Sequence, residues 1–177
     1  KIITLLIQIF EKANRVTENA LIAFQGLCVG AGESIDLSEI GKYLKYALES
    51  QDDDCAKLAC GIISDLAGAM QDGLNQYLED FVPCLHNILR SPDTDRKIKL
   101  PALQALGDLS LNSGDQFNQR YLNETLVILN AAASMSTQLE QIPNDDQDTL
   151  EFLADLRESL LEQYGTILIA ISDSTDL

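Results

Sequence analysis

The sequence has little of what most enzymes need. Tryptophan is absent, aromatic side chains make up 6% of the 177 residues, and His86 is the only histidine. Because His86 sits beside Asn87 in an amphipathic pattern, we find no serine, histidine and aspartate set for nucleophilic catalysis. Glycine-rich phosphate-binding motifs are also missing, and the pair Asp145 and Asp146 lacks the spacing of a calcium loop. We therefore predict that the chain is not an enzyme and takes no cofactor.

Cysteines are few and are not spaced as metal ligands. The four are Cys28, Cys55, Cys60 and Cys84, and no two of them form a CxxC pair. With a single histidine in the chain, this spacing disfavours a zinc site. Cys60 and Cys84 lie in apolar runs, so we predict buried thiols in a reducing compartment and no bound metal.

Long apolar runs and positive charge are both scarce. No apolar run reaches 18 residues, so we expect no membrane span. The opening stretch Lys1–Ile7 resembles a signal peptide, but no small-residue cleavage motif follows it, and we expect both ends to be cut from a longer protein. The 28 acidic and 12 basic residues give a net charge of −16, which disfavours nucleic acid and anionic membranes as partners. A basic protein segment is the electrostatic complement, unless the charge only keeps the chain soluble.

What the sequence does have is helical periodicity. Hydrophobic residues make up 46% of the chain, and Leu, Ile and Ala dominate them. Steps of three and four predict a helix over 75–90, which Asn75 caps and which Asp72-Gly73 separates from the preceding helix. A second clear helix is predicted from Asp148, where Glu151 completes a capping box. Since no stretch alternates with period two, the sequence predicts an all-α fold. The apolar stripes of the two helices are Leu78, Phe81, Val82, Leu85, Ile88 and Leu89, and Leu153, Leu156, Leu160, Tyr164, Ile167, Leu168 and Ile171.

The helices also repeat in pairs. Leu27, Leu66 and Leu109 occupy one position of the first helix and recur at intervals of 39 and 43 residues. In the second helix, Leu37 recurs as Leu78 and Leu122 at intervals of 41 and 44. A two-helix unit of this length is typical of HEAT and armadillo repeats, which bury their apolar stripes by stacking. The sequence predicts a right-handed α-solenoid of HEAT repeats.

Pro101 and the polar stretches set the predicted boundaries. We expect Pro101 to kink a first helix that begins near Asp93, as HEAT units tolerate, although Pro101 at a first helical position is the alternative. The polar residues Thr137–Gln147 are predicted to form a loop. The whole chain is then one solenoid: an unpaired second helix at 1–13, helix pairs at 16–50, 53–91 and 94–136, and an unpaired first helix at 148–172.

Several segments resemble, in chain order, the C-terminal third of the importin-β family. They are Thr17–Ala23, Gly61–Leu66, Ile98–Pro101 running into Leu106–Leu109, and Leu156–Tyr164 with Gly165 and Ile167. The linker Gly30–Ile35 and the loop Thr137–Gln147 match the family only in length and polarity. Partner contacts of those loops are therefore not carried over.

The resemblance implies a nuclear import receptor. Such receptors bind phenylalanine-glycine (FG) nucleoporin repeats on their outer wall and a basic segment of the adaptor importin-α, or basic cargo, on their acidic inner wall. Ran-GTP releases the cargo, mainly through contacts in amino-terminal repeats that are absent here. The implied location is the cytoplasm, the nucleus and the nuclear pore.

Second helices line the inner wall in this family, so their acids are our candidates for binding a basic segment. The alternative is that each acid is an ordinary solvated side chain or a helix cap. The candidates are Glu39, Glu79, Asp80 and Glu124, with the turn acids Asp52, Asp53 and Asp54.

First helices carry our candidate grooves for phenylalanine rings. One strip in the third pair runs every four positions and points away from the core stripe, and the other pairs have equivalent residues. The alternative is that these side chains pack against the adjacent repeat. The candidates are Leu21 and Val29, Cys60 and Gly68, and Leu103, Gly107 and Leu111.

A HEAT scaffold of another class is the second functional hypothesis. A phosphatase regulatory subunit and a chromosome-organising subunit share the repeat. The net charge of −16 argues against a chromosomal scaffold, because such a protein needs basic surface to bind DNA.

Overall fold

The structure is a computed structural model that describes residues 2–13, 17–31, 35–140 and 146–175. Within those ranges the regular structure is helical and no strand is found, so the all-α prediction is confirmed. The helices are α1 (Ile2–Ala13), α2 (Glu18–Ala31), α3 (Gly41–Leu48), α4 (Asp53–Met70), a 3₁₀ helix (Gln71–Tyr77), α5 (Leu78–Arg90), α6 (Arg96–Glu140) and α7 (Gln147–Thr175).

The longest helix, α6, is two helices joined at a bend. Gly114 has φ +45° and ψ −119°, which no α-helix contains and which only glycine adopts at little cost. We call residues 96–113 the first arm of α6 and residues 115–140 its second arm. Pro101 lies inside the first arm, as the sequence predicts.

The helices stack in two rows. The A row consists of α2, α4, the first arm of α6, and α7; the B row consists of α3, α5 and the second arm. Along the A row, α2 packs against α4, α4 against α6, and α6 against α7. Along the B row, α3 packs against α5, and α5 against α6. Each helix thus packs against the equivalent helix of the next pair, and the solenoid prediction is confirmed.

The apolar core follows the stack. One cluster of buried residues extends from Leu6 of α1 to Phe117 of the second arm. A second cluster joins both arms to α7 through Leu103, Leu129 and Leu160, and Leu89 of α5 packs against both clusters. Because each pair leaves an apolar stripe that only its neighbour covers, the stability of each unit depends on the next one.

Two predicted helix boundaries in the middle of the chain are wrong. The α-helix α5 begins at Leu78, and the 3₁₀ helix 71–77 occupies the place where Asn75 was expected to cap it. The Asn75 side chain instead lies 3.4 Å from the Oδ1 atom of Asp72. The preceding helix, α4, ends at Met70 rather than at Gly73, because the backbone already reverses at Gln71.

The start of α7 and the end of α6 also differ from the predictions. Helix α7 begins at Gln147, and Asp146 takes the capping role expected of Asp148: its carboxylate accepts hydrogen bonds from the backbone amides of Asp148 and Thr149, and from the Thr149 hydroxyl. The second arm extends to Glu140, so 137–140 are helical rather than loop. The rest of the predicted loop, from 141 to 145, lies outside the described residues.

One turn recurs between the A and B helices, and it predicts a stabilising substitution. Gln71 has φ 46° and ψ −122°, close to the angles of Gly114, which follows 43 residues later. A side chain in this conformation costs about 1–3 kcal/mol. We expect Gln71→Gly to raise the free energy of unfolding by about 1 kcal/mol, after the greater entropy of glycine in the unfolded chain is subtracted.

Urea denaturation measures this change, and the reciprocal variant Gly114→Ala is its control. Since alanine at Gly114 introduces the strain that Gln71 already carries, that variant is expected to be less stable by about 1–2 kcal/mol. A loss of stability in Gln71→Gly would show that the turn at 71 is not strained.

Candidate functional site

The candidate groove residues on the A row fall into two groups. Leu21, Cys60 and Leu103 are at most 1% exposed, and Gly107 is buried as well. Val29 is 76% exposed, Leu111 is 42% exposed, and a Cβ atom on the exposed Gly68 would meet no atom within 4 Å. Of the seven candidates, only these last three, all near the carboxyl ends of their helices, are themselves exposed.

The buried group lies beside direct contacts between adjacent A helices. The Gln25 amide donates to Asp65 at 3.1 Å, and the Ser64 hydroxyl donates to Asp108. Gln25, Ser64 and Gly107 occupy one position of the repeat, and above Gly107 the space is filled by Gln163 of α7. The central part of these strips therefore packs against the adjacent repeat, which is the alternative to a groove for phenylalanine rings.

The carboxyl group of Asp108, at this contact between A helices, is partly buried. Burial raises the pKa of Asp108, while the hydrogen bond from Ser64 opposes that rise. The sequence carried a signal for this contact, because Ser64-Asp65 and Gly107-Asp108 stand at the same place in successive pairs. Periodicity alone does not show that Asp108 accepts a hydrogen bond from Ser64, the residue that precedes the equivalent aspartate in the previous pair.

On the B row, three candidate acids pair with basic residues of neighbouring helices. Lys45 of α3 reaches Asp80 of α5 at 3.0 Å. Arg120 of the second arm reaches Glu79 at 2.6 Å. These carboxylates are exposed but already have counter-charges, so they attract a basic ligand less strongly than free carboxylates would.

The third acid, Glu124, belongs to a network around the only histidine. Glu124 accepts from Arg90 at 2.6 Å, and its other oxygen lies 3.5 Å from Nδ1 of His86. The Nε2 atom of His86 lies 2.9 Å from the Thr125 hydroxyl, and both side chains are buried. Burial lowers the pKa of His86, although the Glu124 carboxylate opposes this. The network joins α5 to the second arm and offers no open site for catalysis.

The remaining candidate acids lie where helices begin, and Glu39, which was predicted on a second helix, precedes α3 instead. Glu39, Asp52, Asp53 and Asp54 are exposed, and none of them forms an ion pair in the described part of the chain. Asp52 caps α4 by accepting from the Cys55 amide at 3.2 Å, and Asp53 and Asp54 lie in the first turn of the helix. The carboxylates of Asp52, Asp53 and Asp54 therefore stabilise the start of α4 and still face solvent.

His86 predicts a pH dependence of stability. The unfolded chain takes up a proton at this histidine near pH 6.5, whereas burial keeps the folded form neutral to lower pH. The unfolded state thus binds more protons, and we expect the free energy of unfolding to fall as the pH drops from about 7.5 to 5.5. Urea denaturation across this range, compared with His86→Gln, measures the effect. His86→Gln keeps a donor for Thr125 but does not titrate, so an equal slope in both proteins would contradict the prediction.

The thiols do not provide a nucleophile. All four cysteines are buried thiols that form no disulfide, as the sequence predicts. Burial raises the pKa of Cys28, Cys60 and Cys84 to about 12 and that of Cys55 to about 11. Thiols with such pKa values are protonated at neutral pH and react slowly.

Across the described residues, no three histidine, cysteine, aspartate or glutamate side chains converge as metal ligands. Every helix described is too short or too polar for a membrane span.

Two rows of stacked helical pairs with a repeat of about 40 residues define a HEAT-repeat α-solenoid. Over residues 1–177 the chain matches the family described as importin subunit beta-1-like, TPR repeats, and it belongs to that family. It is 27% identical over 177 residues to importin subunit beta-1 of Schizosaccharomyces pombe, covering 97% of this chain and 20% of that protein. It is 23% identical over 163 residues to the Saccharomyces cerevisiae protein, covering 91% of this chain and 18% of that protein. The chain thus spans about a fifth of the length of these relatives.

Solved structures agree on the fold. A crystal structure of importin beta grown in ammonium sulfate superposes with a TM-score of 0.86 at 23% identity, over 98% of this chain and 20% of that one. A Kap95:Nup1 complex gives a TM-score of 0.79 at 22% identity over 97% and 20% of the two chains. A structure of Kap95p with RanGDP gives 0.77 at 22% identity over 88% and 18%. At these identities the superpositions establish the shared solenoid.

Proposed function

We propose that this chain is part of a nuclear import receptor and contributes a binding surface for FG nucleoporin repeats. The observation that carries the proposal is the recurrence of exposed positions at one place in three A helices. Val29, Gly68 and Leu111 stand at the ends of α2, α4 and the first arm, at intervals of 39 and 43 residues. A Kap95 structure with Nup1 supports a nucleoporin as the partner.

The physical form of the site fits a weak, repeated ligand. A phenylalanine ring beside Val29 or Leu111 would cover part of an apolar side chain, which is worth about 1.5–3 kcal/mol for a fully buried ring and less here. A single ring is held weakly at that energy, and several rings on one flexible chain gain affinity by multivalency. Transport through a pore favours such contacts, since they exchange rapidly.

The binding experiment uses the ¹⁵N-labelled chain and a peptide with several Phe-Gly pairs. We expect amide shifts near Val29, Gly68 and Leu111, and an apparent affinity about three- to tenfold weaker in the double variant Val29→Ser/Leu111→Ser. Tyr46→Ser is the matched control, because Tyr46 is 57% exposed but lies on α3 in the B row. Unchanged binding in the double variant, or undiminished binding of a peptide with serine in place of phenylalanine, would refute the A-row site.

We also propose that the exposed acids Glu39, Asp52, Asp53 and Asp54 contribute to binding the basic segment of importin-α or basic cargo. Glu79, Asp80 and Glu124 are weaker contributors in this proposal, because the chain already pairs them with Lys45, Arg120 and Arg90. Their exposed ion pairs must exchange partners before a ligand can use these carboxylates.

The remaining roles belong to the longer receptor. We assign Ran binding, as in the Kap95p structure with RanGDP, to the receptor as a whole, and the proposed location is the cytoplasm, the nucleus and the nuclear pore. Division of the chain into units at 16–50, 53–91 and 94–136, with the remaining helices unpaired, is part of the same proposal. A receptor of this kind acts by binding and needs no catalytic residue.

A further inference from the structure

A cleft near the end of α5 is not explained by the functions proposed above. Its volume is about 320 Å³, and it is lined by ten apolar residues together with Arg90 and Lys99. No carboxylate lines it, although the chain carries a net charge of −16. A volume of this size lies at the lower end for ligand pockets and accommodates one large side chain with its backbone.

The cleft arises because neighbouring B helices differ in length. Helix α5 ends at Arg90, and Pro92 follows it, whereas the second arm continues to Glu140. The ion pair between Arg90 and Glu124, at 2.6 Å, places the end of α5 beside residue 124. Beyond that point the second arm has no B-row neighbour among the described residues, so one of its faces is uncovered. We call the space the overhang cleft.

The uncovered face is apolar and has a packed floor. Val127, Ala131 and Met135 recur at intervals of four on the second arm and line the overhang cleft. Val127 is 64% exposed and Met135 is 41% exposed, while Leu103 and Leu156 beneath them are at most 2% exposed. An apolar side chain placed here would bury exposed hydrocarbon without displacing the core.

Lys99 gives the overhang cleft its charge preference. Its ammonium group donates to the Ser91 carbonyl at 2.8 Å, which uses one of its three donors. Arg90 is already paired with Glu124, but no carboxylate of the described residues forms an ion pair with Lys99. Partial burial lowers the pKa of Lys99, because it removes part of the water around the ammonium group. A carboxylate brought by a ligand would supply the missing counter-charge.

We propose that the overhang cleft binds an extended segment of a partner protein in which a phenylalanine or leucine side chain stands next to an aspartate or glutamate. The apolar side chain lies against Val127 and Met135 and above Leu103, and the carboxylate pairs with Lys99. The neighbouring carboxylate distinguishes this ligand from a neutral FG repeat, and the site lies apart from Val29, Gly68 and Leu111.

Titration of the ¹⁵N-labelled chain with two blocked tetrapeptides tests the proposal. One has the sequence Gly-Phe-Asp-Gly, and the other has asparagine in place of aspartate. We expect the acidic peptide to shift amides around Val127, Met135 and Lys99, and the asparagine peptide to bind about tenfold more weakly. Lys99→Met should reduce the affinity for the acidic peptide to the level of the asparagine peptide, and leave the latter unchanged.

Surface substitutions separate the apolar contact from folding. Val127→Gln should weaken both peptides, whereas Leu161→Gln, at a residue that is 74% exposed on α7 and outside the cleft, should weaken neither. Equal binding of the two peptides, shifts that map elsewhere, or no effect of Val127→Gln would overturn the proposal. The FG titration uses neutral peptides and reports on Val29, Gly68 and Leu111. If one of the two tests fails, the other can therefore still be interpreted.

Discussion

Alanine at Leu160 is expected to lower the free energy of unfolding by about 2–5 kcal/mol, whereas alanine at its neighbour Leu161 changes it by less than about 0.5 kcal/mol. Leu160 is 4% exposed and belongs to the cluster that joins α7 to both arms of α6, while Leu161 is 74% exposed. The substitutions remove the same atoms from adjacent positions of one helix. Urea denaturation of the two variants therefore measures burial, with helix propensity held constant.

Amide hydrogen exchange locates the damage. The core divides into one cluster from Leu6 to Phe117 and a second that includes α7. Since repeat units depend chiefly on their neighbours, Leu160→Ala should reduce protection in α7 and the second arm more than in α2 and α4. Uniform loss of protection along the chain, or equal destabilisation by the two alanines, would contradict this division of the core.

Alanine at Gly107 is expected to cost about 1–3 kcal/mol, although alanine favours helices more than glycine does. A Cβ atom there would lie 1.5 Å from Oε1 of Gln163 and 2.6 Å from its Cδ. The Gln163 side chain is buried, and its Oε1 has no hydrogen-bond partner among the described atoms. Either the amide or the whole of α7 must move to admit the methyl group.

Two further variants make the Gly107 prediction specific. Gly68→Ala is the control within a helix, and since nothing lies within 4 Å of its Cβ we expect it to be neutral or more stable by up to about 1 kcal/mol. Adding Gln163→Ala to Gly107→Ala should restore most of the loss, because it removes the side chain that the methyl group meets. Chemical denaturation of the four proteins gives the coupling energy, and a value near zero would show that Gln163 does not restrict Gly107.

The contrast between Gly107 and Gly68 shows which property of the candidate grooves the sequence could not predict. The two residues stand in successive A helices of the repeat, and sequence periodicity treats them alike as places where a ring could lie. Gly107 faces a side chain of α7, whereas Gly68 faces open space. Periodicity gives the direction of a side chain on its own helix, but occupancy of the space beyond depends on which residue the next helix brings there.

The acidic residues show the same limit on the B row. The sequence shows that Glu79, Asp80 and Glu124 lie off the apolar stripe, and all three are indeed partly or largely exposed. Their partners Lys45, Arg120 and Arg90 are 34–41 residues away in the sequence, about one repeat. An ion pair between stacked helices depends on their vertical register, which apolar spacing constrains only to within about a turn.

The helix ends were predicted less well than the helices themselves. Apolar stripes located the buried faces of α5 and α7, because an amphipathic stripe must meet a core wherever the helix begins. The exception is Leu168, which was predicted in the α7 stripe but is 66% exposed. The 3₁₀ helix at 71–77 and the reversal at Gln71 were missed, since a non-glycine residue with positive φ is disfavoured by local preference alone.

The sequence by itself determined the all-helical composition, the repeat of about 40 residues and hence the solenoid, because each stripe is a local property that recurs along the chain. Tertiary structure decided which recurring positions remain open. It buried Leu21, Cys60 and Leu103, left Val29 and Leu111 exposed, and opened the overhang cleft where α5 ends before the second arm. The physical reason is that accessibility depends on the length and register of the neighbouring helix, and residues a whole repeat apart in the sequence set both.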